Sequence, residues 1–195
     1  PVGPPRDARP APATGQGPRR AWHLRANGVV LLYVALAVVA LALHETSLPM
    51  PRWLAVHLLL LGAATNAIVT WTEHFAVALL RSPAPPRAVS AARLVGLNVA
   101  VVGVLVGVAG DLPVLTMAAA TLLALVVLVH LGALVRISRH ALMSRFAGTI
   151  AFYVAAGAAL VAGIVLGTVV ATDDGLAHTT HEQLHAAHVH ANVLG

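Results

Sequence analysis

The 195-residue sequence contains no cysteine and no lysine, and only 10% of its residues are charged. Without cysteine the chain forms no disulfide, holds no thiolate-bound metal and offers no cysteine nucleophile, which leaves histidine as the expected metal ligand. So little charge cannot cover the surface of a water-soluble domain, and 58% of the residues are hydrophobic. These proportions indicate an integral membrane protein.

Apolar stretches of membrane-spanning length follow a tail that cannot form a core. Residues 1–20 hold six of the twelve prolines and four arginines, which predicts a disordered tail. About 20 apolar residues cross the hydrocarbon core, and continuously apolar runs exclude barrel strands. The predicted spans lie near 26–43, 53–71, 94–110, 113–135 and 148–171, and a sixth opens near 184. The predicted fold class is all-α, a polytopic transmembrane helical bundle over 21–195 with five complete spans plus the start of a sixth.

The arginines predict how this bundle is oriented. Eleven of the twelve precede span 1 or lie between spans 2 and 3 or spans 4 and 5, and only Arg52 lies on the other side. The positive-inside rule therefore predicts a multi-pass protein of the cell membrane with a cytoplasmic N-terminus. The formal net charge of +5 follows from this topology and does not call for a nucleic-acid partner. Because the chain begins with Pro1 and ends in an apolar run, we expect a longer parent protein.

Histidines gather at the predicted outer side. Seven of the eleven lie at or near it: His44, His57, His178, His181, His185, His188 and His190. Counted from the outer ends of spans 2 and 6 at about 1.5 Å per residue, His57 matches His188 and His190 in depth to within about one turn. His188 and His190 are two residues apart, so they point to opposite faces of a helix and would serve two different sites.

Imidazoles at equal depth on two helices favour ligation of a cofactor. A six-coordinate haem takes one imidazole from each side, and His57 with either His188 or His190 meets that requirement. The predicted cofactor is haem b, with cofactor-binding residues His57, His188 and His190. The predicted metal ligands are His44, His181 and His185. The alternative interpretation is that these histidines are interfacial side chains paired with acidic residues or water.

Polar residues deeper in the spans have structural interpretations. Asn66 lies between small residues, as is typical of a helix-packing seam. Glu73 and His74 are either a proton-handling pair or, as we favour, an interfacial pair near the inner end of span 2. His130 is predicted to be a polar packing contact.

Two parts of the sequence resemble a known membrane region. "PRWLAVHLLLLGAATNAIVTWTEHFAVALLR", together with "RFAGTIAFYVAAGAALVAGIVLG" and "HVHANVLG", resembles the N-terminal membrane region fused ahead of cupredoxin domains in actinobacterial multicopper oxidases, including copper nitrite reductases. The resemblance covers roughly residues 20–195. It implies a membrane region that anchors a copper-dependent oxidoreductase, with copper in the parent protein and catalysis in cupredoxin domains further along the same chain.

A more distant likeness concerns the histidines. "AHVHANVLG" is similar to the His-x-His helix of the haem-copper oxidase superfamily, and "VHLLLLGAATNAI" is similar to its second helix. This similarity implies His57 and His190 as the haem pair and His188 as a ligand toward a second centre. The helix that carries the copper ligands in that superfamily has no counterpart here, which argues against oxygen reduction by this chain.

Three functions follow from these features. The first is a redox-associated membrane domain that anchors a copper oxidoreductase and passes electrons through a bis-histidine haem near the outer face. The second is a structural anchor without a cofactor. The third is a metal-handling or transport protein, which requires a polar path that spans 1, 3 and 5 lack. The lipid bilayer is the expected partner in each case, and a homo-oligomer is left open.

Overall fold

Helix is the only regular secondary structure in the part of the chain that the structure describes. The structure is a computed structural model that describes residues 17–43, 49–139, 147–173, 175 and 177–193, without the side chains of 17–21 and 147. Its helices are α1 (Gly17–Ala42), α2 (Pro51–Leu80), α3 (Arg87–Ala109), α4 (Pro113–Arg139), α5 (Ala147–Thr172) and α6 (His178–Val193). Helices α1 to α5 are long and apolar enough to cross a membrane. The predicted all-α bundle with five spans is confirmed, and a sixth helix follows them.

Several helices extend beyond the apolar runs that predicted them. Helix α2 continues to Leu80 although its apolar run ends near residue 71, and α3 begins at Arg87, well before residue 94. Polar residues at a helix end can leave the hydrocarbon core while the backbone stays helical, so hydropathy alone places these ends too early or too late. The predicted tail over 1–20 lies outside the described residues as far as residue 16, and α1 begins at Gly17.

Prolines mark the beginnings of three helices. Pro51 and Pro113 are the first residues of α2 and α4, and Pro86 directly precedes α3. Proline suits these positions because its fixed φ matches the helix and the first turn needs no backbone N–H. Helix α3 ends in a tight turn in which the Leu112 N–H donates to the Gly107 carbonyl at 2.8 Å. This short connection makes α3 and α4 an antiparallel hairpin.

Helix α2 contains a π-helical segment over Leu58–Ala64. The segment begins directly after His57, and the Thr65 hydroxyl donates to the Leu60 carbonyl at 3.1 Å. The Tyr33 ring of α1 packs against Gly62, where any side chain would collide with it. Because a π turn holds an extra residue, it changes which face of α2 the following residues occupy.

The helices pack mostly in chain order. Helix α3 packs on α4, α4 on α5, and α5 on α6, while α1 packs along α2 and the last part of α2 packs on α4. The side chains that are almost fully enclosed are Leu97, Leu123, Leu134, Ile150, Val101, Val127 and Asn66. Large apolar residues such as Val99, Leu128 and Phe152 are exposed on the outside of the bundle, as expected where lipid is the solvent.

The two ends of the bundle differ in their side chains. One end, called the arginine end below, joins the start of α1, the end of α2, the start of α3 and the end of α4. Its described arginines outside the core are Arg25, Arg81, Arg87, Arg136 and Arg139. The opposite end, the histidine end, holds the start of α2 and the start of α6, with most of the histidines of those helices.

The close packing of α3 on α4 at Gly107 leads to a testable prediction about stability. A Cβ on Gly107 would lie 2.8 Å from the Thr116 backbone nitrogen, so Gly107→Ala should force the two helices apart and destabilise the bundle by about 1–3 kcal/mol. Gly132→Ala is the matched control, because a Cβ there meets nothing within 4 Å. Denaturant titration in detergent should separate the two variants, and equal stabilities would contradict the close packing.

Candidate functional site

His57 of α2 and His188 of α6 face each other at the histidine end. Their ring centroids are 6.3 Å apart and their ring planes are inclined by only 10°. Two residues at matching depth, on helices that both begin at the histidine end, therefore come together, as the sequence predicted for His57 and one of the histidines of "HVH". The two histidines of the pair are far apart in the sequence and belong to α2 and α6.

Both rings are held in the same tautomer by backbone carbonyls. Nδ1 of His57 lies 2.8 Å from the Trp53 carbonyl, and Nδ1 of His188 lies 2.8 Å from the Gly163 carbonyl. A carbonyl can only accept, so each Nδ1 carries the ring proton and donates it. Each Nε2 then carries a lone pair, and neither has a hydrogen-bond partner among the described residues. This is the arrangement of metal-binding histidines, whose second nitrogen is tied to a carbonyl or carboxylate.

Two glycines of α5 make room for the α6 side chains. A Cβ on Gly167 would lie 2.6 Å from the His188 ring, and the Asn192 amide occupies the space beside Gly163. The four-residue spacing of "GIVLG" puts both glycines on the face of α5 that meets α6. Asn192 also donates to the His188 carbonyl at 2.8 Å. Helix α5 therefore fixes the position of the His188 ring through both packing and hydrogen bonding.

The His57 ring is positioned by its own helix. The Trp53 ring stacks on it with centroids 4.1 Å apart and an interplanar angle of 24°. Trp53 therefore covers one face of the imidazole while its carbonyl holds Nδ1. His57 is the last α-helical residue before the π-helical segment. Single π turns inside α-helices are frequent at functional sites.

The other predicted site residues are not part of this pair. His190 is exposed, and its Nδ1 donates to the Ala186 carbonyl of its own helix at 2.7 Å. The observed pairing of His57 with His188 differs from the pairing with His190 that the haem-copper oxidase likeness implies. The reason is helix geometry, because residues two apart lie about 160° from one another and only one of them can face α2 and α5.

The predicted metal ligands do not form a metal-binding group where they are described. His181 and His185 are exposed on α6, and His44 lies outside the described residues. Among the described residues, no group of three or more His, Asp or Glu side chains is arranged to hold a metal ion. Metal binding by His44, His181 and His185 stays a prediction.

A second polar cluster lies inside the bundle toward the arginine end. Arg93 of α3 forms an ion pair with Glu73 of α2 and donates from Nη1 to His130 Nδ1 of α4 at 2.9 Å. Because that nitrogen accepts, His130 carries its proton on Nε2 and donates to the Thr72 hydroxyl at 2.8 Å. Ser90 donates to Glu73 at 2.7 Å. The cluster joins three helices through neutral His130 and one ion pair.

This cluster corrects two interpretations of the sequence. Arg93 is not a loop charge that reports topology, because its side chain is only 4% exposed and its partner is Glu73. Glu73 does not pair with His74, whose ring instead contacts the His23 ring at 4.8 Å and Trp71 at 5.5 Å between centroids. The signal that would have found the ion pair is the "PP" of "PAPPRAVS", since a helix that starts after Pro86 carries Arg93 into its second turn.

Midway along the bundle, the side-chain amides of two asparagines form a third polar contact. Asn66 of α2 and Asn98 of α3 exchange hydrogen bonds of 3.2 and 2.9 Å, and each also donates to a carbonyl of its own helix. Asn66 is thus a helix-packing contact, as its small neighbours indicated. With this pair, α2 has polar side chains that lie against other helices at three levels along its length.

No family model, no curated protein and no solved structure matches this chain. The link to copper oxidoreductases therefore stays a prediction from the sequence, and the site must be interpreted from its own chemistry.

The Glu73–Arg93 ion pair leads to a prediction about stability in which a double variant is the control. Arg93→Met leaves the Glu73 carboxylate buried without its cation and should destabilise the bundle by about 3–5 kcal/mol. The double variant Glu73→Met/Arg93→Met removes both charges and leaves mainly the His130 nitrogen without a donor, which costs about 1–3 kcal/mol. Denaturant titration in detergent should therefore rank the double variant as the more stable. The reverse order would show that the two groups are not a buried ion pair.

Proposed function

We propose that this chain is a membrane-embedded electron-transfer domain that binds a haem b between His57 and His188 and anchors a copper-dependent oxidoreductase. The observation that carries the proposal is the close, nearly parallel placement of the His57 and His188 rings, each with Nδ1 beside a backbone carbonyl. Each ring donates Nδ1–H to a backbone carbonyl and keeps the Nε2 lone pair free at the histidine end. Imidazoles in that state are ready to bind a metal.

The number of ligands favours haem over a bare metal ion. A zinc or copper site takes three or four protein ligands, whereas the described residues at this place supply two imidazoles and no third ligand. Haem brings four nitrogens of its own and takes only axial ligands from the protein. The two ring centroids are 6.3 Å apart and their planes nearly parallel, so His57 and His188 are the residues that would hold the haem.

The surrounding residues have defined tasks in this proposal. The Trp53 and Gly163 carbonyls hold the two rings in the metal-binding tautomer, and the Gly167 gap lets His188 approach without a clash. Trp53 covers a face of His57, and the bilayer keeps water away from the bundle. When bound, haem supplies one-electron transfer at a potential that its axial ligands help to set.

The electron partner comes from the resemblance. The resemblance puts copper domains after this membrane region in the same chain. The membrane region would then give the copper domains both a fixed location and electrons. The arginine pattern supports a cytoplasmic arginine end and an outer histidine end.

The proposal predicts which histidines are required for haem. The protein purified after expression with adequate haem should show the absorption and electron paramagnetic resonance spectra of a low-spin, bis-histidine haem. His57→Ala and His188→Ala should each lose that low-spin signal, because each removes one axial ligand. His190→Ala should keep it, and His178→Ala, on the exposed first turn of α6, is the surface control.

The outcomes distinguish the alternatives. Loss of the signal in His190→Ala with retention in His188→Ala would favour the pairing implied by the oxidase likeness and contradict the pairing observed here. A purified protein without haem, together with unchanged activity of the full-length protein in His57→Ala, would favour a structural anchor.

A further inference from the structure

The π-helical segment of α2 lies between two parts of the helix that carry polar side chains. It covers Leu58–Ala64, with His57 directly before it and Asn66 shortly after it. The Thr65 N–H and the Thr65 hydroxyl both donate to the Leu60 carbonyl, five residues back in the chain. A π turn contains one residue more than an α-helical turn. The segment therefore changes the angle between the two parts of the helix by about one residue, or about 100°.

Helix periodicity shows where His57 would point if α2 were a continuous α-helix. Phe75 follows His57 by eighteen residues, which is five complete turns, so the two side chains would lie in one row along the helix. Ile68 would lie within about 20° of that row. Phe75 is 43% exposed and Ile68 is 47% exposed on the outside of the bundle. Without the π turn, the His57 imidazole would therefore face lipid, where a polar ring is costly.

The extra residue of the π turn moves His57 to a different row. The spacing for five turns grows by one residue, so that His57 lies in line with Ala76 and within about 20° of Val69. Ala76 is 0% exposed and Val69 is 5% exposed, so this row faces the interior of the bundle. His57 is accordingly part-buried, and its ring faces the His188 ring. The observed position of His57 agrees with the shifted row and not with the row of Phe75.

Contacts with α1 and α3 hold the helix on both sides of this change. The Tyr33 ring of α1 packs directly on Gly62 inside the segment, and Tyr33 is only 6% exposed. Directly after the segment, the Asn66 amide donates to the Gly62 carbonyl four residues back at 2.8 Å and pairs with Asn98 of α3. The regular α-helical pattern is therefore restored at Asn66, and the π turn is enclosed by packing.

We propose that the π-helical segment is the positioning element of the His57–His188 pair, and that its extra residue turns His57 from the lipid-facing side of α2 to the side that meets α6. Asn66 and Glu73 follow the segment and are seven residues apart, so they lie within about 20° of each other and both meet α3. One helix serves both partners because the π turn sets the angle between its two parts. The inference concerns the placement of His57 and holds whether or not haem binds.

Deletions in the leucine run provide the test, because a helix with one residue fewer no longer needs the π turn. Residues 58–61 are all leucine, so removal of any one of them gives the same chain. His57 then precedes Ala76 by eighteen residues, and a continuous α-helix keeps it in line with Ala76. Removal of two leucines is the matched control, since it removes one residue more than the π turn contains. The control must turn His57 by about 100° relative to Asn66.

The two positions can be followed separately because the sequence has no cysteine. One variant carries His57→Cys with His188→Cys, the other carries Asn66→Cys with Asn98→Cys, and a short bifunctional methanethiosulfonate reports whether each pair is close. Both pairs should cross-link in the undeleted protein and after the single deletion. The double deletion should lose at least one of the two cross-links.

Three results would overturn the proposal. The first is loss of either cross-link after the single deletion, as expected if α2 were α-helical throughout. The second is retention of both cross-links after the double deletion, which would show that the helix adapts to any change of length. The third is no cross-link between the His57 and His188 positions in the undeleted protein. None of these measurements depends on haem, so they are independent of the spectra that test the proposed function.

Discussion

Hydrocarbon offers no hydrogen-bond partner, and this constraint determines how the bundle is put together. Helix α2 carries polar groups at three levels, and each lies against a polar side chain of another helix. His57 meets the α6 ring of His188 at one end, Asn66 meets Asn98 of α3 in the middle, and Glu73 meets Arg93 of α3 toward the other end. Helix α2 is therefore the polar centre of a bundle whose other contacts are mostly apolar.

The three contacts differ in how strongly they depend on their partners. An amide pair in hydrocarbon contributes modestly, since polar contacts between membrane helices average about 0.6 kcal/mol. A buried ion pair contributes little net stability when intact but is strongly destabilising when one partner is removed. The imidazoles of His57 and His188 differ from both, because each ring is partly buried and its Nε2 is not among the buried atoms without a hydrogen bond. Those nitrogens are accessible to water or to a ligand.

Much of the fold could be predicted from the sequence because hydropathy reports the hydrocarbon core directly. The five spans, the sixth helix and the equal depth of His57 and His188 follow from run length and a rise of 1.5 Å per residue. The choice between His188 and His190 could not be predicted, because it depends on how α6 is rotated against Gly163 and Gly167. Arg93 was misassigned because an arginine beside an apolar run looks like a loop charge unless the helix start at Pro86 is recognised.

The distance between the two ends decides how far they can influence each other. Glu73 follows His57 by sixteen residues of α2, which is about 24 Å along the axis. At an effective dielectric constant of 20, a unit charge at that distance changes the energy of another by about 0.7 kcal/mol. That is half of what a tenfold change in an equilibrium requires. A charge at the Glu73–Arg93 ion pair therefore affects a charge at the His57–His188 pair only weakly, and the two polar contacts of α2 are electrostatically almost independent.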